Sequence, residues 1–182
     1  MGGYTQLLNS ANDLNTITGT GFFDWGSSAP ANAPFTYAVM LQLHRTNGSV
    51  FQKVWQLGVS TDKQCSCERV VNDGQGEWEW VNPPMFLGVE YRTTERWLGM
   101  PVYCKAVNVE AFPTNGSSAS IPYLDYSPRA VLRFVAHSGY ILYPNRLYGK
   151  HIDVMDNKIY MESTDTPYDG GGVHVAVWYV KN

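Results

Sequence analysis

The stretch FTYAVMLQLHRTNGSVFQKVWQL, residues 35–57, decides the fold class of this chain. Large apolar side chains alternate with smaller or more polar ones over residues 35–44 and again over 50–57. That period of two is the spacing at which successive strand residues point to opposite faces. Asn47-Gly48 lies between the two runs and favours a type I′ turn, because both residue types tolerate a positive φ. The stretch therefore predicts an antiparallel β-hairpin.

Shorter strand-like runs extend this hairpin on both sides. An aromatic run precedes it, and two further runs follow it over residues 64–71 and 77–81. Pro83-Pro84 ends the series, because proline cannot donate a hydrogen bond to a strand ladder. Residues 9–84 are therefore predicted to form a small antiparallel meander, with residues 1–8 as a linker before it.

A second series of strand-like runs begins near residue 102 and ends with Val173–Val180. Within it, Asp156-Asn157 separates two short apolar runs, as expected of a tight hairpin turn. Roughly six strands spaced every ~8–12 residues are typical of a β-sandwich or jelly roll. The chain is therefore predicted to be all-β, with a sandwich-like or jelly-roll-like C-terminal domain over residues 102–182 and a junction over residues 85–101.

The composition favours a folded protein and excludes two classes of partner. Hydrophobic residues make up 44% of the 182 residues and charged residues 16%. The net charge of −3 provides no basic surface for nucleic acid. No run approaches the ~18 apolar residues of a membrane helix, and the N-terminal residues do not resemble a signal peptide. We therefore expect no nucleic-acid partner, no membrane insertion and synthesis in the cytoplasm.

Cysteines, histidines and carboxylates form no catalytic or metal-binding pattern. Cys65 and Cys67 flank one residue, a spacing awkward for a disulfide in an extended strand, so buried or free thiols are expected. The four histidines are isolated from one another in the sequence, without HxH or HExxH spacing. Hydrolase and phosphate-binding motifs are absent from the sequence. The sequence therefore predicts no catalytic residue, no metal and no cofactor.

Aromatic residues near loops are the candidate ligand contacts. Tyrosine beside Asn, Asp or Arg in a loop can stack on a sugar ring while its neighbours bond the sugar hydroxyls, although loop tyrosines also serve in simple packing. Each candidate lies near residues that predict a loop. The candidates are Tyr123, Tyr126, Tyr143, Tyr148, Tyr168 and Asp169.

The first module resembles the knob domain of phage and pyocin tail fibres. The segment ANDLNTITGTGFF, residues 11–23, is similar to the DLN…G(F/Y)(F/Y) signature that opens that domain. The family also has a glutamine in its central strand and an arginine before a closing tryptophan strand. The residues that fill these places are Asp13, Leu14, Asn15, Gly21, Phe22, Gln52, Arg69 and Trp80. The resemblance implies that residues 9–84 form a knob-like structural module.

The segment VEYRTTERWLGMPVYCKAV, residues 89–107, resembles a junction common in tail proteins of phages and prophages from Firmicutes. The family pattern is close to EYxTxERWxGKPVYxK and leads into a terminal β domain. Met100 stands where the family has lysine, and Cys104 where a polar or basic residue is frequent. The charged residues of the stretch are expected to form local ion pairs, and they are Glu90, Arg92, Glu95 and Arg96.

Together the two resemblances imply the distal part of a phage or prophage tail fibre, with a terminal receptor-binding β-sandwich head. The implied function is attachment to a bacterial cell-surface saccharide, without catalysis. The implied partners are that glycan, other tail or baseplate proteins, and further copies of the chain in a homotrimer, and the implied location is the virion. Two alternatives remain, a structural tail or baseplate connector without ligand binding and a polysaccharide-degrading tail enzyme. The enzyme would need two carboxylates facing across a cleft.

Overall fold

The structure, a computed structural model, describes residues 5–58, 64–109, 113, 117–138, 141–143, 146–147, 150–163 and 173–182. These residues form fifteen β-strands and no helix, which confirms the predicted all-β fold. In these ranges no helix is long and apolar enough to cross a membrane. The chain divides into two compact units, Met1–Pro84 and Met85–Asn182, which are described separately below.

The first unit contains a sheet in which each strand pairs with the next strand in sequence. β1 pairs with β2 in parallel, and every later pair is antiparallel. The predicted antiparallel meander is therefore observed from β2 onwards. The strands are β1 (Gln6–Leu7), β2 (Gly21–Trp25), β3 (Ala38–His44), β4 (Val50–Gln56), β5 (Ser66–Val71) and β6 (Glu79–Asn82).

The turn between β3 and β4 is not the predicted type I′ turn. Arg45 N donates to Ser49 O at 2.9 Å, and Gly48 N donates to Arg45 O at 3.1 Å. Gly48 has a φ of 90°, whereas Asn47 is not among the described residues with positive φ. This pattern is a type I turn followed by a glycine bulge. The type I′ prediction was wrong because the loop is longer than two residues, and only Gly48 needs the left-handed conformation.

The buried face of the first sheet carries Ala38, Met40 and Gln42 of β3. Met40 is fully buried, whereas Leu43 on the opposite face is 44% exposed. Strand β3 also begins at Ala38 rather than at Phe35, because Tyr37 has a φ of 49° that is incompatible with an extended strand. The core below the buried face includes Leu8, Leu14, Phe23, Trp25, Ala38, Met40, Val54 and Cys67.

Three polar side chains are buried in this core and bond to one another. Gln42, Gln52 and Arg69 are each at most 5% exposed. Gln52 Nε2 donates to Leu14 O at 2.6 Å and to Gln42 Oε1 at 2.7 Å, and Arg69 Nε donates to Gln52 Oε1 at 2.8 Å. Gln42 Nε2 in turn donates to Ile17 O at 3.0 Å. This buried network ties the segment before β2 to strands β3, β4 and β5.

The guanidinium of Arg69 also fixes the chain between β5 and β6. Arg69 Nη1 donates to Gly76 O at 3.1 Å, and Arg69 Cζ lies 4.1 Å from the centre of the Trp78 ring. Burial lowers the pKa of Arg69 to about 10. The side chain therefore remains charged at neutral pH, and its hydrogen bonds are of the stronger, charge-assisted kind.

Gly76→Ala is expected to lower the free energy of unfolding of the first unit by about 1–2 kcal/mol. A Cβ at Gly76 would lie 2.3 Å from Val70 O, so the backbone itself must move, and Gly76 O would move away from Arg69. The rate of amide hydrogen exchange in peptides from β4 and β5 measures this loss of stability. Gly21→Ala is the control, because its Cβ would meet only Phe23 Cε2 at 3.9 Å. If hydrogen exchange is accelerated equally in Gly76→Ala and Gly21→Ala, the prediction is contradicted.

The second unit contains two sheets whose described pairs are antiparallel. One has the order β7-β8-β15-β10-β11, and the other has the order β12-β13-β14-β9. The last strand of the chain, β15, therefore lies between β8 and β10. The strands are β7 (Glu90–Trp97), β8 (Met100–Val109), β9 (Ser117–Pro122), β10 (Ala130–Ser138), β11 (Ile141–Tyr143), β12 (Arg146–Leu147), β13 (Lys150–Met155), β14 (Lys158–Ser163) and β15 (Val173–Val180).

Both sheets of the second unit contribute to one hydrophobic core. Val175 and Val177 enter it from β15, while Ile152 and Ile159 enter it from β13 and β14. Along β13, β14 and β15, buried residues alternate with residues on the opposite face. Two sheets that share one core form a sandwich-like arrangement, in agreement with the sequence. The hairpin predicted at Asp156-Asn157 is also observed, with Met155 paired to Lys158.

The charged stretch predicted as a junction, residues 85–101, contributes β7 and the start of β8 to the second unit. Glu95 forms a two-pronged ion pair with Arg133, at 2.6 and 2.9 Å. Glu90 forms an ion pair with Lys181. The expectation of local ion pairs did not include these two partners, because the sheet places residues from distant parts of the sequence beside Glu90 and Glu95.

Candidate functional site

A shallow groove lies on the face of β9, β13 and β14 that points away from the core. Its volume is about 380 Å³. Ile152 and Ile159 are buried, so the residues that alternate with them along β13 and β14 lie on the groove side. The polar residues that line the groove are Ser118, Ser120, His151, Asp153, Tyr160 and Glu162.

Cross-strand pairing arranges these side chains in two rows. Tyr160 of β14 lies opposite Asp153 of β13 and opposite Ser120 of β9. Residues paired in this way have Cβ atoms about 4.5–5.5 Å apart, within reach of a single small ligand. The rows are Ser120–Tyr160–Asp153 and Ser118–Glu162–His151.

The groove carries negative charge. Asp153 and Glu162 supply two carboxylates, and no lysine or arginine is among the described residues that line it. Asp153 Oδ1 accepts a hydrogen bond from Val154 N at 2.8 Å, which holds that carboxylate in place. Lys158 lies one row further along β14, opposite Met155. A ligand in the groove would therefore meet two carboxylates.

The arrangement is suited to holding a small polar ligand that has an apolar face. The half-buried ring of Tyr160 offers a flat surface for such a face, and its hydroxyl can donate or accept a hydrogen bond. Serine hydroxyls and carboxylates at the edge can bond hydroxyl groups of the ligand. A sugar ring has this combination of an apolar face and a polar edge.

A second concavity in the same unit has a different chemistry. It has a volume of about 460 Å³ and is lined mainly by apolar side chains, among them Leu87, Ala106, Val135 and Trp178. Such a lining buries apolar groups but offers few partners for hydroxyls. The groove around Tyr160 is therefore the better candidate for a saccharide.

The structure describes the side chains of two predicted ligand residues, and neither lines the groove. Tyr123 is 2% exposed, and its hydroxyl donates to Asp156 O at 2.9 Å. Its ring also packs edge-on against Tyr179, with ring centres 5.8 Å apart. Tyr126 is half-buried, and its hydroxyl donates to Glu90 Oε2 at 3.0 Å. Tyr123 is thus a core residue, and Tyr126 belongs to a polar cluster around Glu90.

The side chains of the other four predicted residues are not among those that the structure describes. Tyr143 lies in β11, where only the backbone is described. Tyr148, Tyr168 and Asp169 lie outside the described residues. Their proposed role as ligand contacts stays a prediction.

Sequence reasoning missed the residues that line the groove. Tyr160 lies inside a strand rather than beside a loop, and His151, Asp153 and Glu162 belong to no catalytic or metal-binding motif in the sequence. The signal that could have found them is the alternation on both sides of Asp156-Asn157. One face of that hairpin is apolar, and the other carries His, Asp, Tyr and Glu.

The cluster around Glu90 stabilises the second unit. The Glu90 carboxylate accepts hydrogen bonds from Tyr126, Tyr179 and Lys181. Desolvation alone would raise the pKa of Glu90, but the hydrogen bonds from these three partners outweigh it, and the pKa lies below its ordinary value. Burial and the bond to the Glu90 carboxylate raise the pKa of Tyr179. Glu90 is therefore a charged acceptor for a phenol that stays protonated.

Neither the cysteines nor the acidic residues form a metal centre among the described residues, which contain no group of three or more potential ligands. Cys65, Cys67 and Cys104 are buried and form no disulfide, as the sequence predicted. Burial raises the pKa of both Cys67 and Cys104 to about 12. Because the thiolate is the reactive form, these thiols are inert at neutral pH.

Solved structures of pyocin tail fibres are similar to almost the whole chain, whereas no protein-family model and no curated protein matches it. An N-truncated R2-type pyocin tail fibre has 9% identity and a TM-score of 0.37, and the alignment covers 98% of each chain. The C-terminal part of the P. aeruginosa R1 pyocin fibre has 11% identity and a TM-score of 0.36, over 98% of this chain and 68% of that one. Both TM-scores lie below 0.5. Function is therefore inferred from the residues and their contacts.

Proposed function

We propose that this chain is the distal, receptor-binding part of a phage-type tail fibre, and that the groove around Tyr160 binds a bacterial cell-surface saccharide. The observation that carries the binding function is the row Ser120–Tyr160–Asp153, an aromatic ring flanked by a hydroxyl and a carboxylate on an open sheet face. The assignment to a tail fibre rests on the two sequence resemblances.

Contacts in the first unit support the resemblance to a knob domain. Leu14, Gln52 and Arg69, three residues that carry the resemblance, are joined by consecutive hydrogen bonds. Asp13 Oδ1 accepts a hydrogen bond from Asn15 N at 2.9 Å, which fixes the turn before Gly21. The residues that resemble the family signature are thus also residues whose bonds hold this unit together.

The shape of the groove favours binding over catalysis. Asp153 and Glu162 lie on one sheet face, on neighbouring strands, whereas glycoside hydrolysis requires two carboxylates that flank the scissile bond. A single shallow site of this kind binds a saccharide weakly. Display of several copies on one particle, with homotrimeric fibres as the arrangement we propose, raises the effective affinity. The proposed location is the tail of the particle.

A purely structural role as a tail or baseplate connector is the second candidate. The outer face of the first sheet exposes large apolar side chains, with Phe22 57%, Leu43 44% and Val70 53% exposed. Such a patch is typical of a surface that another protein covers. A connector would use this face and would need no ligand in the groove. The two functions are compatible in one chain, so the test must address the groove itself.

Tyr160→Ala is expected to weaken saccharide binding by roughly tenfold, because the mutation removes the ring on which the sugar stacks. The measurement is binding of the full chain to an array of bacterial cell-surface glycans, followed by titration with the glycans that bind. Phe86→Ala is the matched control, since Phe86 is 65% exposed and lies outside the groove.

Three other outcomes would contradict the proposal. If no glycan binds the native chain, the connector is favoured. If Tyr160→Ala and Phe86→Ala bind as the native chain does, the saccharide site lies elsewhere. Release of oligosaccharides from a bound glycan would identify an enzyme instead.

A further inference from the structure

We infer that the groove around Tyr160 selects saccharides that carry a protonated amino group. This inference rests on the proposed saccharide-binding function and adds the chemical class of the ligand. It follows from three features of the groove: the sign of its charge, the position of both carboxylates beside one aromatic ring, and the free hydrogen-bonding capacity of those carboxylates.

The two carboxylates flank the Tyr160 ring from different directions. Asp153 is the direct cross-strand partner of Tyr160, at a Cβ separation of about 4.5–5.5 Å. Glu162 follows Tyr160 by two positions in β14 and lies on the same face, about 6.5–7 Å along the strand. An ammonium group at the edge of a sugar stacked on Tyr160 would therefore lie within reach of both carboxylates.

Both carboxylates have oxygens that a ligand can use. The hydrogen bond from Val154 N occupies Asp153 Oδ1 and orients the carboxylate, while Oδ2 can accept from a ligand. Glu162 is exposed. An ammonium group has three donors and no acceptor, so it suits two carboxylates better than a hydroxyl does.

The charges around the groove disfavour the other two ligand classes. An anionic saccharide would meet two like charges, because the described lining residues include no lysine or arginine. A neutral saccharide would gain hydrogen bonds but no ion pair. His151 lies opposite Glu162, and Arg146 of β12 is paired with His151 at the end of that row. Lys158 lies in the next row and does not line the groove.

A cation also interacts favourably with the ring itself. The face of a tyrosine ring attracts an ammonium group, and this attraction adds to the two ion pairs. Exposed ion pairs are individually weak and are screened by salt. The expected result is a roughly tenfold preference for the amino saccharide at low ionic strength, most of which is lost in about 0.5 M salt.

The test compares oligomers of glucosamine with oligomers of N-acetylglucosamine of equal length, in a buffer acidic enough to protonate the amines. Calorimetric titration of the full chain is expected to give the roughly tenfold preference for glucosamine. Glu162→Gln and Asp153→Asn keep the shape of each side chain and remove its charge. Each is expected to reduce the preference roughly threefold, while binding of the acetylated oligomer changes little.

Asp73→Asn is the matched control, because it makes the same change of charge in the first unit and asparagine tolerates the φ of 50° there. Equal binding of the two oligomers, or a preference that survives in Glu162→Gln and Asp153→Asn, would overturn the inference. So would failure of the glucosamine oligomers to bind. In each case glycan binding that depends on Tyr160 in the array experiment would leave the proposed function standing, and its absence would contradict both.

Discussion

Gln52→Leu is expected to lower the free energy of unfolding of the first unit by about 3–5 kcal/mol. Gln52 is 1% exposed and occupies the middle of the buried network. Leucine has a similar size but would remove the bonds to Leu14 O and Gln42 Oε1. It would also leave the charged guanidinium of Arg69 buried without its carbonyl acceptor at 2.8 Å. The Nε–H of this buried charged side chain, left without its acceptor, accounts for most of the expected loss.

Hydrogen exchange of peptides from β3, β4 and β5 measures this effect in the first unit. Peptides from the second unit serve as an internal reference. Gln75→Leu is the control, since Gln75 is exposed, and a change within about 0.5 kcal/mol is expected there. A Gln52→Leu variant as stable as Gln75→Leu would show that the network does not hold the fold.

A double variant separates the cost of the unsatisfied Arg69 donor from that of the other lost hydrogen bonds. Gln52→Leu combined with Arg69→Met replaces both interacting partners with apolar groups. We expect the double variant to be less destabilised than the sum of the two single variants, by about 1–3 kcal/mol. Additive losses in the same exchange measurement would indicate that Arg69 finds another partner when Gln52 is replaced.

The hairpin at residues 35–57 shows how far the sequence predicts the fold. Alternation located both strands, because strand geometry depends on neighbouring residues alone. It did not indicate which face is buried, since Leu41 and Leu43 lie outside while Gln42 lies inside. Burial of Gln42 is stable only because Gln52 and a distant backbone carbonyl satisfy its amide. Local pattern cannot reveal such partners.

The candidate site was harder to predict than the fold for the same reason. The turn at Asp156-Asn157 was predictable, and so was the polar face of the hairpin it joins. The groove also needs β9, whose residues 117–122 pair with residues 158–163. That long-range pairing brings Ser120 beside Tyr160. The search for loop tyrosines instead selected Tyr123, whose hydroxyl and ring are used inside the core.

Glu90→Gln is expected to lower the free energy of unfolding of the second unit by about 2–3 kcal/mol at neutral pH. Tyr179 is fully buried, and its hydroxyl donates to Glu90. Tyr126 donates to the same carboxylate, and Lys181 forms an ion pair with it. A glutamine keeps the shape and one acceptor oxygen, but it removes the charge that strengthens all three bonds.

Low pH should reduce the difference in the free energy of unfolding between native protein and Glu90→Gln. The pKa of Glu90 lies below its ordinary value of 4.5 in the folded state. Its contribution to stability is therefore fully present above about pH 4.5 and is lost as the pH falls through the folded pKa. Melting temperatures measured from pH 7 to about pH 3 should converge only below about pH 4.5.

High pH should also reduce this difference in the free energy of unfolding, because Lys181 loses its charge there. Desolvation alone would lower the pKa of Lys181, but the hydrogen bond to Glu90 outweighs it and the pKa lies above its ordinary value of 10.5. Its contribution is present below that value and is lost as the pH rises through the folded pKa.

Glu95→Gln is the control, since its ion pair with Arg133 is about half exposed, and a loss of at most about 1 kcal/mol is expected. A gap in stability between native protein and Glu90→Gln that stays constant from pH 7 to pH 3 would show that the gap does not come from the charge of Glu90. In that case the carboxylate charge would have no role in holding β7 to the end of β15.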